Sequence, residues 1–174
     1  MKLFGLNESQ IENRLSENEK KEIYKYSNKN NRIYKNMNFK LRNHLQLNNA
    51  ENKLYSSLNE SILKFELQSK ITLFRGMNID YNFYNHLLSQ VGKYKTLKGV
   101  VSTSLNLEVS KEKYIKGDNI PIIFILTVSK GVNCIPTFLF AEDKSEEEIT
   151  FINLKMLINK VYKKDGITYF ETTC

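Results

Sequence analysis

Ser69-Lys70-Ile71-Thr72-Leu73-Phe74-Arg75-Gly76 is where the character of this chain changes. Ile71 to Arg75 is a short β-type run that Gly76 stops. On its N-terminal side the apolar residues recur at helical spacing. Ser16-x-x-Glu19 has the form of a capping box and opens a segment with Ile23 and Tyr26 on one face. Met37, Leu41, Leu45 and Leu47 predict a second helix, and Leu54, Leu58, Ile62 and Phe65 predict a third over Ala50–Leu67. No Gly or Pro falls between Leu6 and Arg75, which suits helices joined by polar turns. On the C-terminal side, Tyr84, Leu87, Leu88 and Val91 suggest one more helix. From there the chain is β-rich, with strands expected at Gly99–Ser104, Ile122–Val128, Val132–Pro136, Glu147–Asn153, Met156–Tyr162 and Ile167–Glu171. Gly131 and Asp165-Gly166 supply turns. The expectation is one α+β domain over residues 1–174, mainly helical over 1–68 and mainly β over 69–174.

Composition narrows the class. The chain has 174 residues, 41% hydrophobic and 26% charged, which suits a globular protein. No apolar run nears the ~18 residues of a membrane span, and the start lacks the apolar stretch of a secretory signal. Site of action is therefore read as the place of synthesis, or as reached by a signal-independent route or after a signal's removal. Lys and Arg total 26 against 19 acidic residues, a net charge of +7. Nucleic acid is not the expected partner, because the basicity is Lys spread among Glu and Asn, as AT-rich coding yields. Arg14, Arg32, Arg42 and Arg75 are the only arginines. Where Lys does the solubilising, a retained Arg suggests work for a planar guanidinium, such as gripping phosphate. Cys134 and Cys174 can form no four-ligand metal site; the first reads as core, the second as a mobile end. His44 and His86 read as surface or helix-packing residues, so no metal is expected.

Three positions in the β part break the local pattern. Arg75 ends an apolar strand just before a Gly. Ser102-Thr103-Ser104 follows Val100-Val101, so hydroxyls emerge where a core strand runs out. Ser145-Glu146-Glu147-Glu148-Ile149-Thr150-Phe151 drives an acidic cluster straight into a strand. On that strand Glu146 and Glu148 point to the same face, where like charges repel unless a cation or ligand uses them. Taken singly, these are a surface cation, a turn and a solvated acidic face.

Together, Phe74-Arg75-Gly76, Ser102-Thr103-Ser104 and Glu146-Glu147-Glu148 resemble the Arg, Ser-Thr-Ser, Glu-x-Glu signature of mono-ADP-ribosyltransferase toxins. The likeness is to the branch with the actin-modifying binary toxins and the Rho-modifying exoenzymes. Tyr34-Lys35-Asn36-Met37-Asn38-Phe39-Lys40-Leu41-Arg42 is similar to that family's Tyr…Asn-x-x-Leu-Arg helix. The resemblance spans roughly residues 20–172. It implies N-terminal helices packed on a split antiparallel β-sandwich, with NAD as substrate in the cleft.

The resemblance implies roles that the chemistry explains. NAD is an anionic pyrophosphate joined to a nicotinamide ribose, and breaking the glycosidic bond develops positive charge on that ribose. Arg42 and Arg75 would hold the pyrophosphate. Asn38, Thr103 and Ser104 join them as cofactor-binding positions, with Thr103 a pocket wall. Gly76 would let the nicotinamide amide approach closely. Ser102 would bond Glu148 and fix its rotamer, and Glu148 would bind the ribose 2′-hydroxyl and stabilise the developing charge. Glu146 is the selector: the resemblance implies that Glu there goes with arginine acceptors. A carboxylate can pair with a guanidinium and draw off its proton. Phe138 and Phe140, in the loop before Glu146, are either aromatic anchors for the acceptor protein or core residues.

The chain departs from the family between Ser-Thr-Ser and the next strand. There the family usually carries a stacking aromatic and an Arg, whereas Leu105–Asn119 offers Tyr114 and three lysines. The expectation is an arginine-specific mono-ADP-ribosyltransferase, with actin the first acceptor to consider and delivery into a target-cell cytoplasm left to another chain if needed. An NAD glycohydrolase and an inactive binding module on the same fold are the rivals.

Overall fold

The computed structural model describes residues 2–27, 33–115, 117, 119–142 and 144–174. Four helices come first: α1 (Glu8–Asn13), α2 (Glu17–Ser27), α3 (Ile33–Arg42) and α4 (Asn49–Leu63). β1 (Ile71–Ile79), α5 (Tyr81–Leu88), β2 (Tyr94–Ser104), α6 (Leu107–Tyr114), β3 (Ile120–Val128), β4 (Ile135–Pro136), β5 (Glu148–Lys164) and β6 (Ile167–Thr173) follow. None of the described helices is long and apolar enough to cross a membrane.

The strands form one sheet in the order β2-β1-β3-β6-β5-β4, and β2 pairs a second time, with β5, so the sheet returns on itself. The closure is uneven. β1 pairs with β3 along its whole length, from Ile71 opposite Val128 to Ile79 opposite Ile120. β1 meets β2 at one residue pair, Phe74 opposite Ser104. The structure is therefore α+β with a sheet opened between β1 and β2. One pairing departs from the antiparallel expectation: β3 and β6 run parallel.

β5 spans 17 residues where the sequence suggests two strands. Asn153 takes a left-handed φ of 51°, but its side-chain oxygen accepts from Gly99 N at 2.9 Å. The strand kinks there, beside a bulge in β2, and continues. Its first half pairs with β2 and its second half with β6. Phe65, Phe124, Phe151 and Phe170 are fully buried in the common core.

Local signals account for most helix ends. The Ser16–Glu19 box forms, with Ser16 N donating to the Glu19 carboxylate at 2.7 Å. α1 is capped by Asn7 and Gln10, and α4 by Asn48 and Glu51, in boxes that use Asn in place of Ser. α3 stops at Arg42, short of Leu47; His44 is left-handed and Leu45 is 51% exposed. β1 runs through Gly76, which sits opposite Ile123, so this Gly ends nothing. The expected Val132–Pro136 strand shrinks to Ile135–Pro136, with Asn133 bridged singly to Glu66. Cys174 is tied down rather than loose: its N–H donates to Thr127 O at 2.9 Å.

The helical layer meets the sheet through α3. Asn38 is buried, and its side-chain oxygen accepts from Val100 N at 2.8 Å. Gly99, with φ 81°, makes room: a Cβ there would lie 2.7 Å from the Asn38 oxygen. Gly99→Ala is expected to cost about 1–3 kcal/mol, from left-handed strain plus displacement of Asn38. Urea denaturation checks this. Adding Asn38→Ala should not restore stability, because the strain remains and Val100 N loses its acceptor.

Candidate active site

The open seam between β1 and β2 is the floor of a cleft of about 740 Å³. Its lining includes Tyr26, Tyr34, Asn38, Arg42, Arg75, Gly76, Ser102, Thr103, Glu146 and Glu148. A single cavity thus takes residues from α2, α3, β1, β2 and the entry to β5.

Glu148 is the first residue of β5 and lies opposite Ser104. Its carboxylate accepts from the hydroxyls of Thr150 at 2.9 Å and Thr137 at 3.0 Å, and from Ser102. Thr150 is two residues on and shares its face of the strand. Thr137 opens the 3-10 turn Thr137–Phe140 that leads from β4. Burial pushes the Glu148 carboxyl above the ordinary Glu value; the three hydroxyls pull it back and the neighbouring Glu146 pushes it further up. Holding the carboxylate charged therefore carries a cost that its partners only partly offset.

Glu146 reaches the cleft by another route than the sequence suggests. It closes the 3-10 turn Lys144–Glu146, and Glu147 takes a φ of 45°. The two carboxylates therefore do not alternate along one strand. A turn carries Glu146, now buried, to the same cavity. Ser104 holds that turn: its hydroxyl donates to Glu146 O at 2.7 Å and accepts from Asn106 N at 2.9 Å. Ser104, expected at the cofactor, is buried with its hydroxyl engaged with backbone, and it does not line the cavity.

Arg75 is half-buried on β1, and its guanidinium donates to Ser102 O. That contact braces the seam just beyond the single Phe74–Ser104 pairing. Arg42 is exposed at the rim, with Nε donating to Lys98 O at 3.5 Å. Both arginines line the cavity, a fit for a ligand bearing two adjacent phosphates. Thr103 is a buried wall residue whose hydroxyl donates to Ile149 O at 2.8 Å. Asn38 borders the cavity while its oxygen serves Val100. Phe138 and Phe140 are half-buried against the core rather than standing free. The Tyr114 side chain lies outside the described residues. Among the described residues no cluster of His, Cys, Asp or Glu could hold a metal ion.

Sequence reasoning missed Tyr26, Thr137 and Thr150 as site residues. Tyr26 reads in the sequence as an inward helix position, yet its phenol meets the Ser102 hydroxyl. Strand periodicity was enough to place Thr150 beside Glu148; Thr137 comes from a turn that leaves no sequence signal.

The family model described as ADP-ribosyltransferase exoenzyme matches residues 3–172, so this chain belongs to that family. That places it in the mono-ADP-ribosyltransferase toxin family, with which NAD as substrate is consistent. Solved structures share the fold. Plx2a, an ADP-ribosyltransferase toxin from Paenibacillus larvae, is 18% identical over 95% of this chain and 89% of its own, with a TM-score of 0.76. Exoenzyme S from Pseudomonas aeruginosa, solved with human 14-3-3 protein beta and Carba-NAD, is 19% identical over 91% and 74%, with a TM-score of 0.73. Vis, an ADP-ribosyltransferase from Vibrio splendidus solved with agmatine, is 17% identical over 97% and 86%, with a TM-score of 0.71. No curated protein sequence matches.

The half-buried Glu148, its carboxyl desolvated in the cleft, has a stability consequence. Its folded pKa is raised, so the stability linked to its protonation is present below the ordinary Glu value and is lost as pH rises through the folded pKa. Glu148→Gln is therefore expected to be more heat-stable than wild type at pH 7, by about 2–4 °C for roughly each 1 kcal/mol recovered. The advantage should shrink as pH falls towards 4.5. Scanning calorimetry at the two pH values checks the sign.

Proposed function

We propose that this protein transfers ADP-ribose from NAD to an arginine of a protein acceptor. The observation that carries the reading is the pairing of Glu146 with Glu148 in the cavity lined by Arg75, Ser102 and Arg42. Arg42 and Arg75 bind the pyrophosphate of NAD. Gly76 and Thr103 wall the nicotinamide end. Glu148, oriented by hydroxyls, binds the ribose 2′-hydroxyl and stabilises the positive charge that develops as nicotinamide leaves. Glu146 pairs with the incoming guanidinium and accepts its proton as the nitrogen attacks the ribose carbon. Glu146 is buried and lines the same cavity, where a guanidinium beside the ribose can reach it.

Two of the structural relatives support the assignment of ligands. Exoenzyme S holds Carba-NAD, and Vis holds agmatine, a small guanidine. Actin is the first acceptor to test, with the cytoplasm of a target cell as the place of action and any delivery component on a separate chain. Phe138 and Phe140 lie half-buried in the turn Thr137–Phe140, with Glu142 and Lys144 exposed beyond them.

Nicotinamide release from NAD, measured with and without agmatine, tests this reading. Wild type should form ADP-ribosyl-agmatine. Glu148→Gln should lose roughly 10²–10³-fold in turnover, the usual scale for removing one preorganised electrostatic group. Glu146→Gln should lose transfer while retaining hydrolysis. NAD consumption without an agmatine product would move the glycohydrolase ahead. Neither consumption nor binding of NAD would leave an inactive binding module.

A further inference from the structure

Tyr26 belongs to the helical layer, yet its phenol ends in the catalytic cavity. α2 is fixed from several sides. Glu19 is buried and pairs with Lys64 Nζ at 2.6 Å, and Ile23 is fully buried. The Tyr26 ring, 6% exposed, meets the Tyr34 ring edge-on at a centroid distance of 5.6 Å. So held, the Tyr26 oxygen hydrogen-bonds Ser102 Oγ. Ser102 in turn bonds the Glu148 carboxylate, and Ser102 O accepts from Arg75.

A serine hydroxyl has one proton. If it goes to the carboxylate, the Tyr26–Ser102 bond must be made with the Tyr26 proton. Burial and the negative charge of Glu148 keep that phenol protonated, so it is available as the donor. We propose that Tyr26 is a positioning residue that donates to Ser102 Oγ and thereby commits the Ser102 proton to Glu148. The chain Tyr26 O–H to Ser102 O–H to Glu148 is directional, and each bond strengthens the next. This inference rests on the function proposed above for Glu148, but its physical core concerns the free protein.

The groups around Glu148 define what else can move its titration. Glu146 faces it from the turn before β5 and Tyr26 from α2, while Arg75 on β1 lines the same cavity and acts on Tyr26. Tyr34, Lys35 and Arg42 line the same cavity from α3. Thr137 and Thr150 hold the other side of the carboxylate and are untouched by a change at Tyr26.

The test is Tyr26→Phe, which keeps the ring and removes one oxygen. Carboxyl NMR follows the Glu148 titration, with Glu148→Gln identifying the resonance. Tyr26→Phe should raise the midpoint by about half to one pH unit, the scale of one hydrogen bond. Steady-state kinetics with NAD and agmatine should show kcat down about 3–10-fold and KM for NAD changed by less than about 2-fold. In a Ser102→Ala background, the same substitution should change neither quantity further. If Tyr26→Phe folds poorly, Ser102→Ala alone must still raise the midpoint. An unchanged midpoint, an equal effect with Ser102 absent, or a change confined to KM overturns the proposal. If wild type releases no nicotinamide, the proposed function fails while the titration still decides the role of Tyr26.

Discussion

The site depends on one weak joint in the sheet. β1 and β2 touch at Phe74 and Ser104 and then diverge, while every other long strand pair is zipped over six or more residues. A fully paired β1–β2 ladder would consume the backbone groups at the seam and fill it with facing side chains. The divergence instead leaves the ends of two core strands at an open cleft. The residues beside the joint line that cleft: Arg75 follows Phe74, and Ser102 precedes Ser104 by two positions. The Arg75–Ser102 contact spans the gap that the ladder leaves.

A sheet opened on one side needs closure on the other. The length of β5 provides it, since that strand pairs first with β2 and then with β6. The kink at Asn153 lets one strand serve both directions, and Gly99 and Asn38 stack on the same corner. α3 is thereby registered against β2 within a hydrogen bond's tolerance. Because Arg42 follows Asn38 by one helical turn, the same contact sets the rim of the cleft. Rigidity at this corner and openness at the seam are two results of one arrangement.

How far the sequence reveals this follows from the kind of signal involved. Helical periodicity and capping boxes are local, and Ser16–Glu19 and the α4 stripe are legible for that reason. Arg75, Ser102 and Glu148 are legible because each breaks a local pattern. The scarcity of arginine points to Arg42 and Arg75, but equally to Arg14, which lies away from the cleft and donates to Lys64 O. Contacts between distant segments leave no such trace. Tyr26 and Ser102 are 76 positions apart, and nothing in either neighbourhood announces the other. The turn that brings Glu146 beside Glu148 also escapes strand periodicity, because the left-handed Glu147 resets the alternation. The shared cavity is reached although the geometric premise of a common strand face does not hold.

That difference bears on the chemistry. Two carboxylates fixed on one strand face would be held in a rigid pair whose repulsion had no outlet. Here Glu148 is set by the sheet, whereas Glu146 is set by a turn that Ser104 anchors through its backbone. One carboxylate is braced by hydroxyls from β2, β5 and the turn after β4. The other sits on the segment that continues into the exposed residues Lys144 and Ser145. Under the proposed function, the rigid acid would serve the ribose and the acid on the turn would serve the acceptor. Bond breaking needs a preorganised charge. Acceptor choice needs a group whose position is set by the surface that meets the partner. The Ser-Thr-Ser segment serves both, with Ser102 on Glu148 and Ser104 on the turn that bears Glu146.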